Sequence, residues 1–277
     1  MGELIMADDG LLAEADVGKW VKEKHQHLVS YLKLHAHPRA RFLKRGGSGA
    51  TYIDVFCGPG RARIKSTGEF IEGSAIAAWN ASVAQKAPFS KIYTADKDAQ
   101  RREACAARLR RLGAPVIEVD GDAETATKNI VRQLDPYGFH FAFVDPYNLG
   151  TLRLSILQEL MKLQRMDILV HISAMDLFRN LDFNLAGTRK EFDDFAPGWL
   201  DEVNLRLPAD EQRRALLMYW KSLIDAAGFD ATADMQPIRN SQNRDLYWLL
   251  VVSRHPLAKK FWNIVLKADD PQRGFDI

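Results

Sequence analysis

The sequence predicts an α/β domain: a mostly parallel sheet of seven strands, helices on both faces, and one antiparallel strand supplied by a C-terminal hairpin. Three observations predict it. Strand-like runs at 51–55, 92–95, 115–119, 139–144 and 167–172 alternate with helical stretches, and such alternation gives parallel strands joined by right-handed crossovers. The run 139–144 is almost wholly apolar, as a strand covered on both faces must be. Finally, a helix over 209–227 ended by Gly228 is followed by strand-like runs 231–239 and 246–254, joined by a polar turn at 240–245. That closing hairpin turns one strand antiparallel to the rest.

Composition bounds the classes. With 47% apolar and 27% charged residues in 277, the chain has the profile of a globular domain large enough for one sizeable core. A net charge of +2 gives no overall field to gather nucleic acid or anionic membrane. Cys57 and Cys105 are the only cysteines, too few for a disulfide framework or a cysteine-based zinc site. None of the seven histidines stands in a His-Glu-x-x-His arrangement, and no metal site is expected. No apolar run reaches the ~20 residues of a spanning helix. The acidic start lacks the basic and apolar regions of a signal peptide, so a cytoplasmic protein with no membrane partner is expected.

In chain order, residues 1–18 read as a frayed N-terminus and 19–277 as a single domain. Trp20, Val21, Leu28, Tyr31, Leu32 and Leu34, with the stem of Lys24, fall at helical spacing and predict a helix over 20–34, which Pro38 ends. The segment 39–49 is basic and Gly-rich, either a solvated linker or a phosphate-contacting patch. A polar loop is expected over 61–73, long for a strand-to-helix connection, then a helix capped by Ser74 and running to Ala87. Further helices are expected at 98–112, 123–134 and 152–163. The stretch 173–208 is irregular, rich in Phe and Asp, and reads as a lid-like insertion. A last helix opens at Pro256 and runs to Leu266.

One stretch organises the rest: Thr51-Tyr52-Ile53-Asp54-Val55-Phe56-Cys57-Gly58-Pro59-Gly60-Arg61. A buried strand running into Gly-x-Gly places backbone N–H groups at the carboxyl edge of the sheet and lets a ligand approach the main chain. A dinucleotide loop would want a third glycine where this chain has Arg63. Asp54, four residues before Gly58, instead suits a ligand with a positive amino group and no pyrophosphate. Asp96, Asp122 and Asp145 then stand one behind each successive strand. Any one of them alone reads as a helix cap or turn residue.

This pattern resembles the S-adenosylmethionine-dependent methyltransferases of the Rossmann-like class. The resemblance implies S-adenosylmethionine over Asp54, Phe56, Gly58, Pro59 and Gly60, ribose hydroxyls at Asp96, and adenine at Asp122 and Ala123. It implies Asp145-Pro146-Tyr147 as the acceptor motif, in which the carboxylate and the Pro146 carbonyl accept from a target group and Tyr147 stacks on its ring. Such a site holds no nucleophile, so a nitrogen or oxygen acceptor is expected. Cytosine-ring methyltransferases need a cysteine nucleophile, and Cys57 in the loop and Cys105 in a helix do not supply one.

Over roughly 19–266 the chain resembles more closely the three-Cys-motif partner proteins, a bacterial family. The matching stretches are Tyr52 to Arg61, Gly73-Ser74, Asp96-Lys97-Asp98, Gly121-Asp122-Ala123, Val144 to Tyr147, Asp176-Leu177-Phe178-Arg179 and Tyr247-Trp248-Leu249-Leu250. Ala75, Asp96 and Asn148 depart from the family's usual proline, glutamate and glycine. Membership implies a neighbour-encoded three-cysteine-motif protein, carrying an iron–sulfur cluster, as partner. Asp176, Arg179 and Arg244 are expected to contact the acceptor, with an internal ion pair as the alternative for the first two. Nucleic acid is one acceptor class left open, and a non-catalytic partner protein that keeps the fold is the rival function.

Overall fold

The computed structural model describes residues 2–232, 236–239 and 245–268. The chain enters through an antiparallel hairpin, β1 (Leu4–Met6) and β2 (Leu12–Val17), and continues into α1 (Trp20–Leu34) and α2 (Ala36–Phe42). β3 (Ala50–Asp54) opens the main sheet, and β4 (Arg61–Ile64) and β5 (Phe70–Glu72) follow the glycine turn. Next come α3 (Ser74–Ala84), β6 (Lys91–Thr94), α4 (Ala99–Arg111), β7 (Val116–Glu118), α5 (Ala123–Val131) and β8 (Phe139–Val144). A 3-10 turn (Leu149–Thr151), α6 (Leu154–Leu160) and β9 (Met166–Ile172) lead to α7 (Ala174–Leu185), α8 (Glu191–Phe195), α9 (Trp199–Glu202) and α10 (Ala209–Ala226). β10 (Asp230–Ala231), β11 (Gln236–Arg239), β12 (Asp245–Ser253) and α11 (Pro256–Ala268) close the chain.

The main sheet runs β10-β12-β9-β8-β3-β6-β7, with β11 also paired to β12. β12 meets β9 on one side, so β10 and β11 share its other side and act as one interrupted strand. The sheet therefore has seven positions, and only β12 runs against the others. This is the expected architecture. β3 sits between β6 and β8, so the chain winds first one way and then the other from it. At such a reversal a crevice opens beyond the carboxyl ends of the strands.

Period-two alternation sends Tyr52, Phe141, Leu169 and Leu249 to one face, under α1, α3, α4 and α11, and Ile53, Ala142, Val170 and Leu250 to the other. The 173–208 stretch forms α7, α8 and α9. Phe192, Phe195 and Trp199 are buried there, and the Phe195 ring stacks on Trp220 of α10 at 5.3 Å. Among the described residues no helix is long and apolar enough to cross a membrane.

Four expectations are corrected. Residues 1–18 are not frayed: β2 pairs parallel to β4, and β1-β2-β4-β5 form a second sheet. The inward residues of β2 are alanines, Ala13 and Ala15, which leave little hydrophobic alternation to read, and its ladder partner β4 is remote in sequence. The same pairing turns the expected loop 61–73 into a hairpin. Pro38 lies inside α2, near its start, where a missing N–H is harmless. Ser74 does not cap α3; its hydroxyl donates to Asp54 instead, and Gly73 stands at the cap.

Candidate active site at the carboxyl edge

Asp54 ends β3 completely buried. Its carboxylate accepts from the Ser74 hydroxyl at 2.6 Å, the Tyr52 hydroxyl at 3.2 Å and the Phe56 N–H at 3.2 Å. It thereby ties strand, loop and α3 together. Burial, reinforced by the nearby Asp145 charge, pushes its pKa up to about 7 against the pull of those bonds. Phe56 is half-buried against the core.

Two glycines shape the loop. Gly58 adopts φ 55° and nothing lies within 4 Å of where its Cβ would be, so its main chain borders open space. Gly60, at φ 78°, is pressed against Cys105 and Ile76, where a Cβ would come within 3.3 Å of both. Buried Pro59 offers its carbonyl to Arg108 of α4 at 2.5 Å. Arg108 also holds the Leu12 carbonyl at 2.6 Å and the Asp9 carboxylate at 2.7 and 2.8 Å. The N-terminal hairpin thus braces the glycine loop from behind.

Asp96 accepts from the Gly58 N–H at 3.1 Å and the Asp98 N–H at 2.9 Å, and burial raises its pKa. It is half-buried beside the loop. Asp122 is exposed and caps α5, accepting from the Thr125 N–H at 2.7 Å, with Ala123 half-buried behind it.

Asp145 follows Phe139, Phe141 and Phe143 onto the face covered by α1. Lys24 of α1 donates to its Oδ2 at 2.5 Å, and His171 Nδ1 lies 2.9 Å from its Oδ1, off hydrogen-bond alignment. Burial works to raise the Asp145 pKa, and the Lys24 ammonium overrides it, holding the carboxyl well below its usual range. The ammonium also sits 5.5 Å from the Trp20 ring centre and 5.8 Å from that of Tyr247. Tyr247 meets the His171 ring edge-on at 4.2 Å and donates its hydroxyl to the Trp20 carbonyl. Burial pushes the His171 pKa down, so its imidazole is neutral near pH 7. Pro146 is buried and Tyr147 is 69% exposed.

The structure therefore gathers Asp54, Gly58, Pro59, Gly60 and Asp96 in one place, with Asp145 on the same edge. Asp176 accepts from the Leu149 N–H at 2.9 Å, tying α7 to the turn behind β8. The ion pair with Arg179, the alternative to acceptor contact, is absent; Arg179 is exposed and pairs with no described residue. Arg244 lies outside the described residues. The phosphate patch loses Arg39, whose fully buried guanidinium donates to the Ala87 and Leu32 carbonyls and lies 4.6 Å from the Phe89 ring centre.

Lys24, Trp20 and His171 were not expected at the site. Lys24 carried a signal, a cation within the apolar stripe of α1. His171 carried a fainter one, a polar residue near the carboxyl end of a strand whose only other polar residue is Asp167. Two surface hollows of about 420 and 120 Å³ lie along α11 and beside Ser253, the second at the opposite edge of the sheet.

No family model matches the chain, and no curated protein matches it. Among solved structures it is similar to a candidate RNA methyltransferase of Pyrococcus horikoshii, at 9% identity and TM-score 0.44, covering 88% of this chain and 94% of that one. A candidate O-methyltransferase of Klebsiella pneumoniae matches at 13% and 0.46, covering 85% and 87%. The O-methyltransferase of Bacillus cereus, solved with S-adenosylhomocysteine, matches at 15% and 0.43, covering 81% and 80%. Likenesses this distant say nothing of which molecule this chain binds.

Proposed function

We propose that the chain is an S-adenosylmethionine-dependent methyltransferase acting on a nitrogen or oxygen acceptor. One observation carries the reading: at the strand-order reversal, the positive-φ Gly58 leaves open space where a side chain would stand, and the carboxylate of Asp96 borders it. A cofactor with ribose hydroxyls and a positive amino group suits that set of one open backbone cradle and several carboxylates. When bound, the cofactor supplies an electrophilic methyl group on a sulfonium. Gly58, Pro59 and Gly60 would hold it, Asp96 would accept from the ribose, and Asp54 would keep the loop in shape. Asp145, Lys24 and His171 form the polar wall on the acceptor side. Positioning two reactants for in-line displacement supplies much of the rate in such reactions.

Calorimetry with S-adenosylhomocysteine tests the reading. Binding is expected, and Asp96→Ala should weaken it by about 1.5–3 kcal/mol, the range for a hydrogen bond to a charged group. Unchanged affinity in that variant removes Asp96 from the site.

A second reading has one observation in its favour. Lys24 and His171 face both oxygens of Asp145, which closes the motif expected to receive a nitrogen or oxygen acceptor. A methyltransferase-fold protein that serves as the non-catalytic partner of a neighbour-encoded three-cysteine-motif protein fits that closure. Absence of S-adenosylhomocysteine binding would favour it. Nucleic acid as acceptor has weaker support than the basic segment suggested, because Arg39 is buried.

A further inference from the structure

With both Asp145 oxygens facing protein groups, the group Lys24 offers is its ammonium. That ammonium has three N–H donors, and Asp145 uses one of them. His171 adds no charge, since its imidazole is held neutral. The wall thus presents the N–H donors of a lysine ion-paired to Asp145 where the motif alone suggested acceptors. We propose that Lys24 selects a phenolate-type oxygen as the methyl acceptor, binding that oxygen through its ammonium beside the Trp20 and Tyr247 rings. This rests on the cofactor reading above.

The chemistry separates the two acceptor elements. An amine would point its own N–H groups at those of the ammonium, and positive charge would grow on its nitrogen as the methyl arrived, at the positive end of the Lys24–Asp145 pair. An oxyanion meets the same cation with a lone pair and opposite charge. A lone pair of that oxygen forms the new C–O bond as the methyl carbon parts from sulfur, which keeps the C–S electron pair. Sulfonium becomes thioether and oxyanion becomes methyl ether, so both charges vanish and no proton has to be placed. A flat ring behind the oxygen suits Trp20, which is half-buried and leaves part of its surface open.

The test uses 4-nitrophenol, whose phenolate absorbs visible light, and 4-nitroaniline, an amine of the same shape. With S-adenosylhomocysteine bound, the phenol–phenolate equilibrium of the bound probe should move toward phenolate by ~tenfold or more, one pKa unit. Lys24→Gln should abolish that displacement while S-adenosylhomocysteine affinity stays the same, and Lys24→Arg should keep part of it. Given S-adenosylmethionine, the protein should make 4-nitroanisole and no N-methylated aniline. A protein that binds S-adenosylhomocysteine yet leaves the phenol equilibrium unmoved, or that prefers the aniline, overturns the proposal. A protein that binds no S-adenosylhomocysteine overturns the cofactor reading and this proposal with it. Should Lys24→Gln not fold, the wild-type and Lys24→Arg measurements decide.

Discussion

The two ends of β9 carry similar residues in different states. At its carboxyl end, His171 meets Asp145; at its amino end, Asp167 meets His35, the C-cap of α1, with Nε2 3.4 Å from Oδ2. One face of α1 serves both, Lys24 above and Tyr31 and His35 below, about 16 Å apart at 1.5 Å per residue. The difference is Lys24. Asp145 has a full positive charge against it and is held ionised. Asp167 has only uncharged donors, Ser253 and Tyr31, and burial pushes its pKa up to about 6. Burial also pushes His35 down to about 3. Buried polar groups with neutral partners serve as joints between α1 and the sheet. A buried carboxylate kept charged by a lysine retains an electric field that a ligand can use.

The largest effect should come from removing that charge. Lys24→Met leaves Asp145 buried with no cation, and breaking one side of a buried pair costs about 3–5 kcal/mol. Urea denaturation should show that loss. Adding Asp145→Asn should recover most of it, because the uncompensated charge disappears. If Lys24→Met costs under about 1 kcal/mol, the pair behaves like a surface ion pair and the contrast between the two ends fails.

Much of this contrast was hidden in the sequence for a physical reason. The strand-helix alternation, the lone antiparallel strand and the cluster of Asp54, Gly58, Gly60 and Asp96 follow from local pattern, because strand ends bring them together. Lys24 meets Asp145 only after α1 lies across the sheet, a packing event across 121 residues. The N-terminal hairpin was missed likewise: Glu14 finds Ala62, and the arginines of α4 that clamp it are of a residue type that ordinarily faces solvent. Arg108 is in fact buried. Local periodicity reports which side of an element is covered, and not which distant group covers it.

A smaller effect should sharpen the comparison through pH. Asp167 is raised from 3.8 to about 6, so its contribution is fully present below the unfolded value and lost as pH rises through 6. His35 is lowered from 6.5 to about 3, so the unfolded chain binds more protons between those values and stability there rises with pH. The two oppose each other. Asp167→Asn removes the first and should expose the second. Its melting temperature should climb from pH 4 to pH 6.5 more steeply than that of the wild type. Parallel curves for the two proteins would mean that Asp167 is ionised in the fold, and that the lower end is a charged pair after all.

The smallest effect belongs to an edge acid with no burial. Asp122 lies on the same carboxyl edge as Asp145, yet it is exposed and spends an oxygen on the Thr125 N–H. Removing an N-cap costs about 1 kcal/mol, so Asp122→Ala should lower stability by about that much, and Asp122→Asn, which can cap, by much less. Its pKa is lowered chiefly by the Thr125 N–H, so the contribution is present above 3.8 and fades as pH falls below it. Affinity for S-adenosylhomocysteine separates the cap from a second duty. If Asp122 only caps, Asp122→Asn should match the wild type in both stability and affinity. If it also accepts from the adenine amino group, Asp122→Asn should keep stability and lose affinity, because the cap tolerates a neutral acceptor and a charge-assisted bond does not survive the change.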